Sequence, residues 1–353
     1  MAIQTKTLKV RIRDKHAAKL SEMARAVNYV WNYQNELSHR AISERGVFLS
    51  GYDIQKYTNG SGKELGLHST TVQQVAAEYA TRRKQFKKSK LSWRKSFGSR
   101  RSLGWVPFKK GAAKWSNGQV YHNGQHFKVW DSYGLGQYQF RSGCFAEDAR
   151  GRWYFCVVVD CEPKQSTGTA SVGIDLGCKD AATVSTGEKL SGRWFRAEEA
   201  KLGIAQRAGK KKRAKAIHAK VANRRKDALH KLSRKLVDEN AAIFVGDVNA
   251  KAIAKTNNGK ASLDAGWGVL KTMLSYKCEH AGVVFEEVNE AYTTQTCSHC
   301  GCIGDSSPKG RTGLGIREWQ CGECGVLHDR DINAALNILA AGHSRLAVGI
   351  PIL

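Results

Sequence analysis

The sequence predicts an α/β layer joined to a small antiparallel β-barrel, and three patterns lead to that class. Apolar residues switch from strand spacing to helix spacing near the N-terminus. Short turn-bounded strands fill Gly104 to Cys161, and strands alternate with helices from Val172 onward. The periods are readable because side chains alternate across a strand and recur on one face of a helix.

Between Lys6 and Arg13, Leu8, Val10 and Ile12 alternate with Lys9, Arg11 and Arg13, which reads as a half-buried strand with a basic outer face. From Lys15 to about Ile42, the residues Leu20, Met23, Val27, Val30, Trp31 and Leu37 mark a helical face. A second helix is expected from Val72 to about Trp93, with Val72, Val75, Tyr79 and Phe86 inward. Arg82, Arg83, Lys84, Lys87, Lys88 and Lys90 crowd its second half, interleaved with Phe86, Trp93 and Phe97. A charge run of this kind is commonly a solvated face; with aromatic residues among the cations it also suits nucleic acid.

Past Gly104, short apolar runs are separated by Asn123-Gly124, Ser142-Gly143 and Arg150-Gly151-Arg152. Regular turns of this kind predict a barrel that takes in the first strand and leaves the two helices as an insertion. Glu162 to Thr169, with Pro163, Ser166 and Gly168, is a linker.

The stretch Ala170 to Ser185 reads as a strand, a tight glycine turn and a returning strand. Within it, Asp175 is an acid in an apolar strand, costly unless it meets a cation or is hydrogen-bonded. Leu202 to Asp238 is basic and helical with a break near Gly209, and Ala241 to Val248 is a buried strand ending in Gly246-Asp247-Val248-Asn249. A helix from about Leu263 to Cys278 and a strand from Val283 to Val288 lead to Glu290. This order suits an RNase H-like layer.

Cys297, Cys300, Cys321 and Cys324 have the spacing C-x2-C-x20-C-x2-C, at which two turns supply four thiolates to one tetrahedral zinc. Asp331 follows at the start of a helix whose expected buried stripe is Ile332, Ala335, Leu336 and Leu339. An acid there either caps the helix or holds a hard cation.

The chain of 353 residues carries 57 Lys+Arg against 31 Asp+Glu, a formal charge of +26. A surplus of that size points to a polyanionic partner, nucleic acid first. A membrane partner is disfavoured, because no apolar run is long enough to span a bilayer and no basic amphipathic anchor concentrates the charge. Met1-Ala-Ile-Gln-Thr-Lys does not read as a signal peptide, so the cysteines are expected in a reducing, cytoplasmic compartment, nucleoid-associated for a nucleic-acid binder.

Four features together resemble the TnpB (OrfB) family of insertion sequences. They are Gly173-Ile174-Asp175-Leu176-Gly177, the run from Asn223-Arg224-Arg225 to His230-Lys231, the paired C-x2-C, and Asp329-Arg330-Asp331-Ile332-Asn333-Ala334-Ala335. The resemblance covers about Val172 to Leu339; the first half matches mainly in layout.

The resemblance implies a compact relative of type V CRISPR effectors, in which a RuvC nuclease carries a guide RNA (ωRNA or reRNA) and cuts double-stranded DNA beside a short transposon-adjacent motif. It divides the chain into a wedge barrel at 1–14 and 98–162 with a helical recognition insertion at 15–97, and a linker at 163–170. A RuvC-like domain follows at 171–292 and 328–341, with a helical insertion at 197–239, a zinc ribbon at 293–327 and a tail at 342–353.

Two Mg²⁺ ions about 4 Å apart would serve the cut and need several converging carboxylates. Asp175 and Asp331 match the family's first and third acids, whereas the usual Glu-Asp-Leu-Asn at the second is Gly246-Asp247-Val248-Asn249. The glutamate is missing. Either Glu290 reaches over Gly246 from the neighbouring strand and completes a set of Asp175, Glu290 and Asp331, or the protein is an RNA-guided repressor that does not cut. An RNase H-like DNA transposase is a further alternative. Arg224, Arg225 and Lys231 on the basic helix, with Arg82, Arg83 and Lys87 in the first half, are the expected nucleic-acid contacts; a monomer and a dimer on RNA both stay open.

Overall fold

A computed structural model describes residues 4–253, 255, 259–310 and 312–347, excluding the side chains of Ala250, Lys251, Thr312 and Leu314. The chain forms two compact units, Met1–Glu162 and Pro163–Leu353, so the boundary falls in the expected linker.

The first unit begins with β1 (Gln4–Ile12) and continues through α1 (Ala17–Arg45), α2 (Gly51–Tyr57), α3 (Ser61–Glu64) and α4 (Ser69–Phe86). Seven strands follow: β2 (Trp105–Phe108), β3 (Ala113–Ser116), β4 (Gln119–His122), β5 (Gln125–Phe127), β6 (Val129–Trp130), β7 (Phe140–Glu147) and β8 (Trp153–Cys161). Leu8, Val10 and Ile12 point into one core with Leu20, Met23, Val27, Val75 and Tyr79, as their spacing predicts. Strand order β2-β7-β8-β1-β6 forms one antiparallel sheet and β3-β4-β5 a second. Among the described residues hydrogen bonding does not join β2 to β6, so the first strand enters the sheet as expected without closing a barrel.

The helix expected to reach Trp93 stops at Phe86, because Lys87 takes a left-handed conformation (φ 50°) and caps it. The next segment is bound instead by asparagines of α1, so its backbone groups are satisfied outside a helix.

The second unit contains β9 (Ala170–Asp175), β10 (Asp180–Val184), β11 (Lys189–Ser191), α5 (Glu199–Arg207), α6 (Lys211–Glu239), β12 (Asn240–Gly246) and α7 (Ala250–Ile253). It continues with α8 (Gly259–Ala265), α9 (Trp267–Ala281), β13 (Val284–Val288), β14 (Glu318–Gln320), β15 (Leu327–Asp329) and α10 (Arg330–Ala347). The main sheet runs β11-β10-β9-β12-β13, with β9, β12 and β13 parallel and β10 and β11 antiparallel. Gly209, at φ 63°, separates α5 from α6 where the break is expected.

Alternation across the sheet makes three layers. Ile174, Ile243 and Val245 face Leu229, Leu232 and Leu236 of α6 and Leu270 and Leu274 of α9. Ala242 and Phe244 face the other way, onto Ile338 of α10. Gly173 lets α10 approach β9, since a side chain there would collide with the Ala335 carbonyl. The α10 stripe differs from its expected one: Asn333, Ala334, Ala335 and Ile338 are buried, while Leu336 is 37% exposed. Close approach to β9 selects the small residues for the inner face.

Candidate metal centre and basic surface

Alternation also aims the acids. Asp175 ends β9 two residues after Gly173, which a missing Cβ fits against α10, so both belong to the α10 face. Burial pushes the Asp175 carboxyl up to about 7, and the charges of Asp331 and Glu290 add to that, with Arg330 opposing. A buried carboxyl raised by two further carboxylates is a site short of positive charge.

Asp331 lies in the first turn of α10 but does not cap it. Asp329 does, its Oδ1 accepting the N–H groups of Asp331 and Ile332 at 3.0 Å each, and Lys189 pairs with Asp329 at 2.6 Å. The Asp331 carboxylate therefore stays out of the cap and meets Arg317 Nη1 at 3.3 Å.

Glu290 stands two residues past β13, whose Val288 pairs with Gly246 of β12. Its Oε2 lies 2.5 Å from where a Cβ on Gly246 would stand, so the carboxylate fills the space that the glycine leaves. Burial first, then the charge of Asp247, raise the Glu290 carboxyl, with Lys271 opposing. Asp247 is engaged by the neighbouring segment: its N–H donates to Val288 O at 2.9 Å, and its Oδ1 accepts the Glu290 N–H at 3.3 Å.

The four cysteines converge, with one sulfur of each within 4.8 Å of the others. Cys297–Cys324 and Cys300–Cys321 sulfur distances are both 3.7 Å. A tetrahedron of Zn–S bonds of about 2.3 Å has edges of about 3.8 Å, so the donor set fits zinc in chemistry and size. His328 Nε2 lies 3.0 Å from Cys297 Sγ and its ring packs on Trp319 across the β14–β15 hairpin. Asn333 and Asn337 of α10 donate to the carbonyls of Thr293 and Thr296 at 2.7–3.1 Å, tying the cysteine knot to the helix that carries Asp331.

The basic residues separate into two kinds. Arg83 is buried, its guanidinium donating to Leu49 O at 2.7 Å and to Ser38 Oγ, so it serves packing and leaves the expected nucleic-acid set. Arg225 donates to the carbonyls of Leu263 and Asp264 at 3.1 Å each and pairs with the Asp264 carboxylate, which makes it a tie between α6 and α8. Arg224 shares the buried Glu198 with Lys220, at 3.3 and 2.8 Å. Lys231 and Arg82 pair one helical turn away with Asp227 and Glu78, and Arg82 also donates to Gln85 Oε1 at 3.2 Å. Lys87 is the exposed cap of α4.

Sequence reasoning missed Asp329 as the cap, Arg317 beside Asp331, and Asp247 as the anchor of the Glu290 backbone. Only the first had a signal: two aspartates two residues apart at a helix start allow one of them to cap.

Comparisons with known proteins agree with this geometry. Residues 154–257 match the OrfB family model described as "Probable transposase", and residues 267–338 match the model described as "Cas12f1-like, TNB domain". A Streptomyces pristinaespiralis protein named "Putative RNA-guided DNA endonuclease" is 39% identical over 225 residues, covering 58% of this chain and 53% of the relative. The Cas12f1 endodeoxyribonuclease of Sulfoacidibacillus thermotolerans is 26% identical over 231 residues, 58% of this chain and 54% of the relative. The matched stretch thus spans about half the length of these curated relatives. In a cryo-EM structure of a Cas12f1–sgRNA–target DNA complex, the protein fold superposes with TM-score 0.59 at 12% identity, over 95% of this chain and 98% of that one.

The second unit is thus a mixed α/β layer carrying a four-cysteine cluster compatible with zinc. Along these stretches the chain is similar to TnpB/OrfB proteins and to the Cas12f effectors.

Proposed function

We propose that this protein is an RNA-guided DNA endonuclease of an insertion sequence, cutting double-stranded DNA beside a short adjacent motif. Strand order β11-β10-β9-β12-β13 with α10 across one face supports a RuvC-like, RNase H-type reading of the second unit. The first unit then serves as the wedge, with α1 to α4 as a recognition insertion. The charge of +26 faces RNA and DNA phosphates, and base pairing with the guide selects the target.

The observation that carries the reading is the Glu290 carboxylate over Gly246, on the sheet edge it shares with Asp175. Asp175, Glu290 and Asp331 would hold the divalent ions, a hard oxygen donor set suited to Mg²⁺. A divalent ion held by these residues would supply water activation and charge neutralisation for phosphodiester cleavage. The chain positions the donors: Asp329 caps α10 and so leaves Asp331 available, Asp247 fixes the Glu290 backbone, and the zinc-bound knot holds the approach to α10 through Asn333 and Asn337.

The missing middle-strand glutamate is the ground for a repressor that binds without cutting; the Glu290 carboxylate beside Gly246 supports the cutting reading instead. A transposase shares the acids and differs in its partner. Sequencing the RNA that co-purifies with the protein separates the two: a discrete stoichiometric RNA supports the guide reading, and purification without RNA but with transposon-end DNA contradicts it.

A further inference from the structure

In the first unit, a segment that is neither helix nor strand is held in place so that it presents aromatic rings to solvent. Beyond Lys87, residues Leu91 to Ser96 run along α1, where Asn28, Asn32 and Asn35 recur on one face. Asn35 accepts the Leu91 N–H at 2.9 Å and donates to the Leu91 carbonyl at 2.7 Å. Asn32 does the same for Arg94, at 2.8 and 3.0 Å. Asn28 accepts from Arg94 Nε at 2.6 Å and donates to Ser96 Oγ at 3.2 Å.

Pinned in this way, the segment keeps Leu91 buried and Arg94 and Ser96 half-buried, while Trp93 is 55% and Phe97 76% exposed and Lys95 is exposed between them. Phe86, 56% exposed at the end of α4, faces Trp93 across a groove of about 690 Å³. Trp31 and Trp105 lie deeper, bracketing the Arg94 guanidinium at 6.0 and 5.7 Å from their rings, and Arg82 and Lys88 line the walls.

Three large rings held in water by a fixed backbone are unfavourable unless something covers them, since each buried Å² of apolar surface is worth about 25 cal/mol. We propose that the groove lined by Phe86 and Trp93, together with the exposed Phe97 four residues further along the segment, is a stacking site for unpaired bases of a single-stranded nucleic acid, with phosphates facing Arg82, Lys88 and Lys95. A paired duplex cannot occupy it, because its bases are already stacked on one another, while every unpaired base offers a free π-face. A second copy of the chain is an unfavourable occupant, since it brings a like charge of +26. The immobile backbone lowers the entropy lost on binding. This inference rests on the proposed function only in requiring that the chain bind nucleic acid.

The test uses the full chain, stripped of RNA in high salt, with a labelled oligodeoxythymidylate and a duplex of equal length. Trp93→Ala and Phe97→Ala should each weaken single-strand binding by about 5- to 100-fold, the range one lost stack supplies, with duplex affinity within about twofold of wild type. Trp93→Phe should keep the affinity while losing tryptophan quenching. The site is overturned if the double Ala variant binds the oligonucleotide like wild type, if it loses single-strand and duplex affinity equally, or if only its oligomeric state changes. Wild-type-like oligonucleotide binding in a variant that still co-purifies with a discrete RNA would sink this site alone and leave the guide reading standing.

Discussion

The Glu290 carboxylate occupies the volume of the side chain that Gly246 lacks, with Oε2 2.5 Å from the position of a Cβ at residue 246. Glycine and glutamate are therefore complementary between β12 and the segment after β13: the residue without a side chain makes room for the neighbouring acid. Gly246→Ala should displace Glu290 and lower Mg²⁺-dependent cleavage by at least about tenfold, the order of effect of misplacing a group by about 1 Å. Guide RNA binding should be unchanged. Wild-type cleavage by Gly246→Ala would show that the contact has no consequence.

Asp247 accepts the backbone N–H of Glu290 at 3.3 Å, so under the proposed function it acts through that amide and not as a ligand. Asp247→Asn keeps a carbonyl oxygen for that N–H and should cut close to wild type, while Asp247→Ala should be slower yet active. An inactive Asp247→Asn would make the carboxylate itself the required group.

Under the proposed function, Asp175 should tie stability to pH and to divalent cations. Its carboxyl is raised from the usual 3.8 to about 7 in the cation-free fold, mainly by burial and then by Asp331 and Glu290. A raised carboxyl favours the fold while protonated, so its contribution is full at low pH and is lost as pH rises from about 4 to about 7. Millimolar Mg²⁺ should therefore raise Tm more at pH 8 than at pH 5, and Asp175→Asn should abolish that difference. Equal shifts at both pH values would contradict the assignment of a cation to this cluster.

The cysteine knot makes a compositional prediction. Cys321→Ser should lose zinc, loosen the Cys297–Cys324 segment and so lose cleavage, because the knot holds the approach to α10. Cys302 is exposed, with its thiol near only the Cys300 carbonyl, so Cys302→Ser should keep full zinc. Metal analysis of the two variants decides it; full zinc in Cys321→Ser would rule out the four-cysteine site.

The layer order of the second unit was legible because alternation and helical spacing report directly on which faces are buried, and Asp175 stood out as an acid in an apolar strand. The extent of α4 was not legible, since Asn28, Asn32 and Asn35 satisfy the following segment from a helix far back in sequence. Nor could composition tell which cations turn inward: Arg83 and Arg225 occupy the same kind of basic run as the exposed Lys87 and Lys231. Asp329 and Asp331 could be told apart only once the cap was seen. The neighbouring strands that the Glu290 reading requires are present: β12 and β13 pair in parallel with Gly246 opposite Val288.

The most direct test of the account is cleavage of a matched DNA target by the RNA-loaded protein in Mg²⁺, comparing wild type with Asp175→Ala, Glu290→Ala and Asp331→Ala. Wild type should cut, and all three variants should retain RNA and fail to cut. Wild-type cleavage by Glu290→Ala would contradict the relocated acid, and a wild type that binds its target without ever cutting would contradict the nuclease itself.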